Sequence, residues 1–312
     1  MTTFSQYMAR TLSVLGMISF SLFNTAHAAT YPLPSGSNSI IGKTQYVTAS
    51  SGETLSSIAK RFDVGLNEIV DANDGINPMQ PLLDGTTVHI PTAFLLPPSG
   101  QRGIVINLPE MRMYYYPSNS NGIVMTYPIG IGKIGKTIPI KNTAIARKTL
   151  NPTWTPPADI REFNEQQGII LPHTMPAGPD NPLGPYAIYL KIPTFLIHST
   201  IFPDSVGRRA SFGCIRMHES DIKDFYPLVT AGTPVTIVDM PNKIGWQGSR
   251  LYLETHDALD EHKDAPYAGY SGVVKTIDAT AQNHPVFVDW QLVAYMTEAP
   301  DGLPHEVGFR IH

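Results

Sequence analysis

Prolines and glycines interrupt this chain so often, 28 and 25 of them in 312 residues, that no long helix is expected in it. Each proline removes a backbone donor, and each glycine loses extra chain entropy inside a regular element. With 42% apolar residues the chain still has the material for hydrophobic cores, so it is expected to form two or three compact units rich in short strands and loops. Charge is nearly balanced, 22 basic residues against 26 acidic ones for a net of -4. That leaves no electrostatic footprint for nucleic acid or an anionic membrane, and points to neutral or mixed-charge partners.

The N-terminus carries Arg10, a mostly apolar run from Leu12 to Phe23, and then Ala26-His27-Ala28, with small residues at both positions that a signal peptidase reads. Residues 1–28 are therefore read as a cleaved export signal. The run falls short of the ~20 apolar residues a membrane span needs, and nothing later comes closer, so no span is expected. No cysteine stands beside the cleavage site, which excludes a lipid anchor attached there.

Tyr31 to Lys43 is a Pro, Ser and Gly tract without periodicity, so residues 29–44 read as a linker or extended arm. Tyr46-Val47-Thr48 is a short strand, and Ser51-Gly52-Glu53-Thr54 is a turn and helix start. Leu55, Ile58, Ala59 and Phe62 then follow at helical spacing. A second helix runs from Leu66 to Ala72, and Gly85 to Pro91 returns as a strand. This α+β unit, residues 45–91, is too small for an enzyme site of its own.

From Gly103 the pattern changes to alternation and short apolar runs. Ile104–Leu108, Met111–Tyr116, Ile123–Ile129, Tyr186–Ile192 and Phe195–His198 read as strands. A helix is expected from Ser220-Asp221, capped by a side-chain oxygen, towards Val229, and Thr233–Asp239 closes the unit. Residues 102–238 thus read as a mainly β, sandwich-like domain with one or two helices. Gly130-Ile131-Gly132-Lys133-Ile134-Gly135 fits a loose Gly-rich template, but an extended tract through Pro139 and Lys141 follows where a helix is required, which argues against nucleotide binding. Residues 240–312 hold Trp246, the alternating Arg250–Thr255 and a strand-like run near Phe287–Tyr295. They carry no chemical signature and are expected to be an appended subdomain covering the central one.

An exported chain with one cysteine cannot hold a disulfide within itself, so Cys214 is either an inert buried thiol or a reactive one. A thiol attacks acyl carbons as its thiolate, and with a pKa of ~8.5 it needs a neighbouring base or cation. His198, ending the apolar strand Phe195–His198, is the candidate base. Gly213 removes a Cβ that would crowd a substrate, and its amide with that of Cys214 is a candidate oxyanion pair. Arg216 favours the thiolate and is a candidate carboxylate holder. Ser211 and Phe212 complete the segment as candidate substrate contacts. No cofactor or metal is expected, since pairs such as His256 and His262 lack zinc-site spacing.

The stretch 45–91, with its Ser-Gly-Glu-Thr-Leu-Ser-Ser-Ile-Ala start, resembles a LysM domain, which implies binding to the N-acetylglucosamine-containing glycan of peptidoglycan or chitin. Gly52-Glu53-Thr54 and Asn77-Pro78-Met79-Gln80-Pro81 are where glycan contacts are expected. Around His198 and Ser211–Met217 the chain resembles the YkuD-type L,D-transpeptidase catalytic domain. Ile129–Gly132, Pro152-Thr153-Trp154-Thr155-Pro156 and Pro176–Gly184 resemble its enterobacterial subgroup, which includes enzymes that attach the murein lipoprotein to peptidoglycan. The resemblance implies a periplasmic enzyme in which Cys214 attacks the L,D amide between meso-diaminopimelate and the terminal D-alanine of a tetrapeptide stem. A second stem, or an outer-membrane lipoprotein, is the implied acceptor.

The chain departs from that family at one place, where Phe212 stands in the position of a His directly before Gly-Cys. Phe cannot hydrogen-bond or relay a proton. Ser199 remains to orient His198, by side chain or by backbone carbonyl, and His218 and His173 are the alternative bases. Two other functions stay open: an L,D-carboxypeptidase, in which water resolves the thioester, and a wall-binding protein whose catalytic domain has decayed.

Overall fold

The structure, a computed structural model, describes residues 29–98, 100–119, 122–282 and 284–311; the expected export signal lies outside the described residues. Residues 45–91 form the expected strand–helix–helix–strand unit. Its first helix, α1 (Leu55–Phe62), starts at Thr54. The Thr54 hydroxyl accepts from Ser57 N at 3.1 Å while Ser57 Oγ accepts from Thr54 N at 2.9 Å, a reciprocal cap that satisfies two end amides. Leu55, Ile58 and Ala59 then meet Leu66 and Ile69 of α2 (Leu66–Asp71) in a small core. Beneath them Gln45–Thr48 pairs antiparallel with Thr87–Ile90.

This unit is locked to the central domain. Glu68 of α2 accepts from Arg112 Nε and Nη2, each at 2.6 Å, and from the Gly65 amide; both side chains are buried. Gly207 of the central domain presses so closely on Gly65 and Leu66 that a Cβ there would lie 2.2 Å from Leu66 N. Lys60 and Asp204 add an exposed pair at 2.7 Å.

Residues 29–44 correct the linker reading. Ala29–Pro32 is an edge strand antiparallel to Ile123–Pro128, and Ile40–Gly42 pairs with Ala93–Leu95. Proline, serine and glycine dominate the tract, but Tyr31, Leu33 and Ile41 bind it down by packing on Val105, Tyr114 and Val124.

Among the described residues the central sheet has nine strands. In order they are Ala29–Pro32, Ile123–Pro128, Arg112–Tyr116, Gly103–Asn107, Pro234–Val238, Asn142–Leu150, Tyr186–Leu190, Leu196–His198 and Ile215–Arg216. Pro234–Val238 runs parallel to Gly103–Asn107, and Ile215–Arg216 parallel to Leu196–His198. A two-stranded ladder, Ile131–Gly132 with Arg209–Ser211, lies beside it. No helix follows Gly135, so the Gly-rich tract is a strand and turn. The helix α3 (Ala158–Glu165) buries none of its residues, whereas α4 (Glu219–Phe225) puts Ile222 and Phe225 into the main core. The cap expected for α4 is absent: its N-cap is His218, without a side-chain bond, because Ser220 Oγ turns to Asp221 Oδ1 at 3.2 Å.

Residues 242–310 form a separate sheet, in the order Asn242–Gln247, Arg250–Thr255, His305–Arg310, Val286–Val288. Two helices cover it, α5 (Tyr270–Ala281) and α6 (Trp290–Glu298). The strand-like run at Phe287–Tyr295 is therefore a strand only to Val288. Asp289 accepts from the amides of Gln291 and Leu292 and starts a helix whose Val293 and Met296 are buried at i, i+3 spacing. Lys243 ties this subdomain to the rest: its ammonium lies 2.7 Å from Glu110 Oε1, 2.6 Å from Glu254 Oε1 and 2.7 Å from Leu95 O, all shut from water.

Glu68→Ala leaves the Arg112 guanidinium buried without its counter-charge, and is expected to lower unfolding free energy by about 3–5 kcal/mol. Urea denaturation measures this, and Glu68→Leu combined with Arg112→Met is expected to recover most of the loss. A single-variant loss below about 1 kcal/mol is the signature of a solvated pair instead.

Candidate active site

Strand alternation assembles the site. Ile197 pairs with Ile215 and His198 with Arg216; both isoleucines are fully buried in the core. Successive strand side chains point to opposite faces, so Leu196, His198, Cys214 and Arg216 share the other face. Cys214 falls beside Leu196, with His198 as its diagonal neighbour.

The imidazole of His198 is 4% exposed, and its Nδ1 lies 2.5 Å from the Ser199 carbonyl. A carbonyl only accepts, so Nδ1 carries the proton and Nε2 presents its lone pair. Burial, and then the charge of Arg216, lower the pKa of His198 to about 4 against the pull of backbone hydrogen bonds at Ser199 and Leu183. The Ser199 hydroxyl is used elsewhere: it donates to Leu183 O at 2.9 Å and accepts from Tyr186 N at 3.1 Å. Orientation of the imidazole therefore comes from the backbone of Ser199, not from its side chain.

Cys214 is half-buried, with Sγ 3.7 Å from Thr194 O. Thr194 holds φ at 71°, a region that β-branched residues avoid, which aims its carbonyl at the sulfur. Burial raises the thiol pKa, opposed by the Leu196 backbone and by Arg216. Both shifts favour the neutral forms, a thiol at Cys214 and a neutral imidazole at His198. Arg216 Nε is buried without a hydrogen-bond partner, and its guanidinium lies 5.8 Å from the Phe202 ring. An unmet donor of this kind costs about 1–3 kcal/mol, which an anionic or carbonyl group of a ligand would offset.

Ser211 ties the turn before the cysteine: its hydroxyl donates to Cys214 O at 2.6 Å and accepts from Gly213 N at 3.0 Å. The Gly213 amide, one of the two expected oxyanion donors, thus has an acceptor in the Ser211 hydroxyl. The need for glycine is different from the one expected. Gly213 has φ 113°, and a Cβ there would lie 2.7 Å from the Phe195 ring and 2.9 Å from Lys136 O, so protein rather than substrate excludes it. Phe212 packs edge-to-face on Phe163 of α3, with ring centroids 5.1 Å apart. The Lys133 ammonium sits 3.8 Å from one ring and 3.6 Å from the other.

The alternative bases lie apart from this group. His218 faces Lys60 and Asp204, and His173 is exposed beside Thr174. Glu110, Glu254 and His256 could each offer one ligand atom to a metal ion, but the Lys243 ammonium already meets both carboxylates. The residues that sequence reasoning missed are Lys133, Phe163, Leu183 and Thr194. Leu183 belongs to the Pro176–Gly184 tract, the only advance signal among them; the others come together through space.

Residues 47–91 match the LysM domain, and residues 101–237 match YkuD, the L,D-transpeptidase catalytic domain. Escherichia coli K12 YcfS, named a probable L,D-transpeptidase, is 41% identical over 246 residues, covering 77% of this chain and 76% of that one. YbiS of the same strain, also named a probable L,D-transpeptidase, is 39% identical over 264 residues, covering 83% and 85%. ErfK/SrfK of Salmonella typhimurium, with the same description, is 40% identical over 242 residues, covering 76% and 77%.

Because its pKa is lowered, His198 is expected to stay neutral through pH 5–6.5, where an ordinary histidine (pKa ~6.5) becomes charged. Imidazole 15N shifts should show the Nδ1–H tautomer down to about pH 5 and protonation near 4. A titration midpoint above 6, or the Nε2–H tautomer, would contradict the assignment of Nε2 as the free base.

Proposed function

The chain belongs to the L,D-transpeptidase family, and from that premise we propose that it is an exported, periplasmic peptidoglycan acyltransferase with Cys214 as nucleophile and His198 as general base. The observation that carries this is the strand register that puts Cys214 and His198 on one face, with the Nδ1 of His198 bonded to the Ser199 carbonyl so that Nε2 carries the lone pair. The thiol proton passes to Nε2 as Sγ attacks the carbonyl of the meso-diaminopimelate–D-alanine amide. The imidazolium then protonates the departing D-alanine amine, leaving a thioester. An acceptor amine attacks that thioester, giving its proton to His198, and the thiol is restored.

Arg216, with its unmet buried donor, is assigned to a carboxylate of the donor stem. Of the two expected oxyanion donors the Cys214 amide remains. The LysM unit is assigned to the glycan strand. The two loops expected to touch glycan are joined there by Ser56 N to Pro78 O at 3.1 Å and Leu82 N to Glu53 O at 2.7 Å, leaving Met79 and Leu83 exposed beside them. The acceptor is a second stem or a lipoprotein amine; hydrolysis differs only in that water resolves the same thioester. Phe212 does not argue for decay, because it packs against Phe163 and Lys133 and leaves Cys214 and His198 on their shared face.

Incubation with a carbapenem, followed by intact-mass spectrometry, is expected to show one covalent adduct on the wild-type chain and none on Cys214→Ala. His198→Ala is expected to slow adduct formation by roughly two to four orders of magnitude. An adduct on Cys214→Ala would rule out the nucleophile, and an unchanged rate for His198→Ala would rule out the base.

A further inference from the structure

We propose that Glu261, in the C-terminal subdomain, is a positioning residue for the chemistry at Cys214: it fixes the turn 133–137, against which the turn 211–214 is built. This gives the appended subdomain a part in the reaction, and it rests on the reading of Cys214 as nucleophile.

The chain of contacts is continuous. Glu261 Oε1 accepts from Gly135 N at 2.9 Å and from Thr137 Oγ1 at 2.8 Å. Both of its oxygens accept from Arg209 Nη2, at 2.7 and 2.8 Å. Arg209 in turn donates to Gly132 O at 3.2 Å and to Thr137 Oγ1 at 3.1 Å, so the carboxylate closes a ring around the turn. The Arg209 guanidinium holds the Glu261 carboxyl well below the ordinary carboxylate range, at about 2, so the clamp is charged at neutral pH.

From the turn the contacts run directly to the nucleophile. Lys133 N donates to Ser211 O at 2.9 Å, the residue whose hydroxyl holds both the Gly213 amide and the Cys214 carbonyl. Lys136 O is pressed between two glycines: a Cβ on Gly132 would lie 2.1 Å from it, and one on Gly213 2.9 Å. A displacement of the turn by a few tenths of an ångström therefore moves Gly213. The same turn carries the side chains that hold α3 over the site. Lys136 pairs with Asp159 at 2.6 Å, and Lys133 lies between the rings of Phe163 and Phe212. Since α3 buries no residue of its own, these contacts set where it sits.

The test compares wild type, Glu261→Ala, Glu261→Gln and Asp260→Ala. Carbapenem acylation is resolved into initial binding and the first-order acylation constant, and hydrogen exchange is followed at residues 132–137 and 211–216. Glu261→Ala is expected to lower the acylation constant by roughly tenfold or more, the scale of a small misplacement transmitted to reacting atoms, with initial binding little changed and faster exchange in both turns. Glu261→Gln keeps an acceptor for Gly135 and Thr137 and should restore most of the rate. Asp260→Ala removes a neighbouring contact of Arg209 without opening the clamp and should match wild type. Wild-type acylation and exchange in Glu261→Ala overturn the inference, as does a Gln variant no better than Ala. If wild type itself does not acylate, the reading of Cys214 fails instead; exchange then decides the clamp separately, and unchanged exchange overturns it.

Discussion

A guanidinium shut away from water needs a carboxylate in contact, and Arg112 finds its carboxylate on a different folded unit. Its bidentate bond to Glu68 fixes α2 against the central sheet in one orientation, since a planar fork tolerates little rotation. The hairpin that carries Arg112, Gly103–Asn107 with Arg112–Tyr116, also carries Glu110, which receives the Lys243 ammonium from the C-terminal subdomain. One hairpin thus holds both flanking units by buried charge. Such pairs contribute little net stability over an apolar replacement, but removing one partner strands the other. Their effect is to specify orientation. A third buried group lies at the LysM interface: burial pushes Asp63 up to about 6, near Asp221 of α4.

Orientation matters because the proposed nucleophile and base are assembled from short pieces. Cys214 and His198 lie on two- and three-residue strand segments and their edges, too short to be rigid alone. Their precision comes from neighbours: the Ser199 carbonyl fixes the tautomer, the Ser211 hydroxyl fixes the turn, and the turn 133–137 backs it. With burial favouring the neutral thiol and the neutral imidazole, the proposed mechanism couples the proton transfer to the attack on the acyl carbon. A thiol of this kind resists adventitious oxidation, because the thiolate is the reactive form.

Much of this was legible in the sequence where chemistry or spacing is local. Thr54 and Ser57 announce α1, and Leu55, Ile58 and Ala59 give its buried stripe. A lone Cys214 in an apolar context with His198 upstream is what makes thiol acyl chemistry the proposal. The buried charges had no local signal, because burial depends on partners distant in the chain: nothing around Arg112, Glu68 or Lys243 marks them until the fold pairs them. Residues 29–44 were misread because composition registers their proline and glycine, whereas Tyr31 and Ile41 decide where they lie. Gly213 was recognised as necessary, but for substrate access; its crowding by Phe195 and Lys136 is visible only in space. Glu261 had no local signal, since its ligands come from Gly135, Thr137 and Arg209.

On the proposed reading Cys214 carries the stem peptide as a thioester after D-alanine departs. The most direct measurement is rapid quenching of the protein with a meso-diaminopimelate tetrapeptide muropeptide, followed by intact-mass spectrometry and D-alanine assay. A tripeptide-stem adduct on Cys214 is expected, with D-alanine released in step with its formation and the adduct transferred to an added amine acceptor. D-Alanine released without any enzyme-linked intermediate, or an adduct that retains the terminal D-alanine, would contradict that reading.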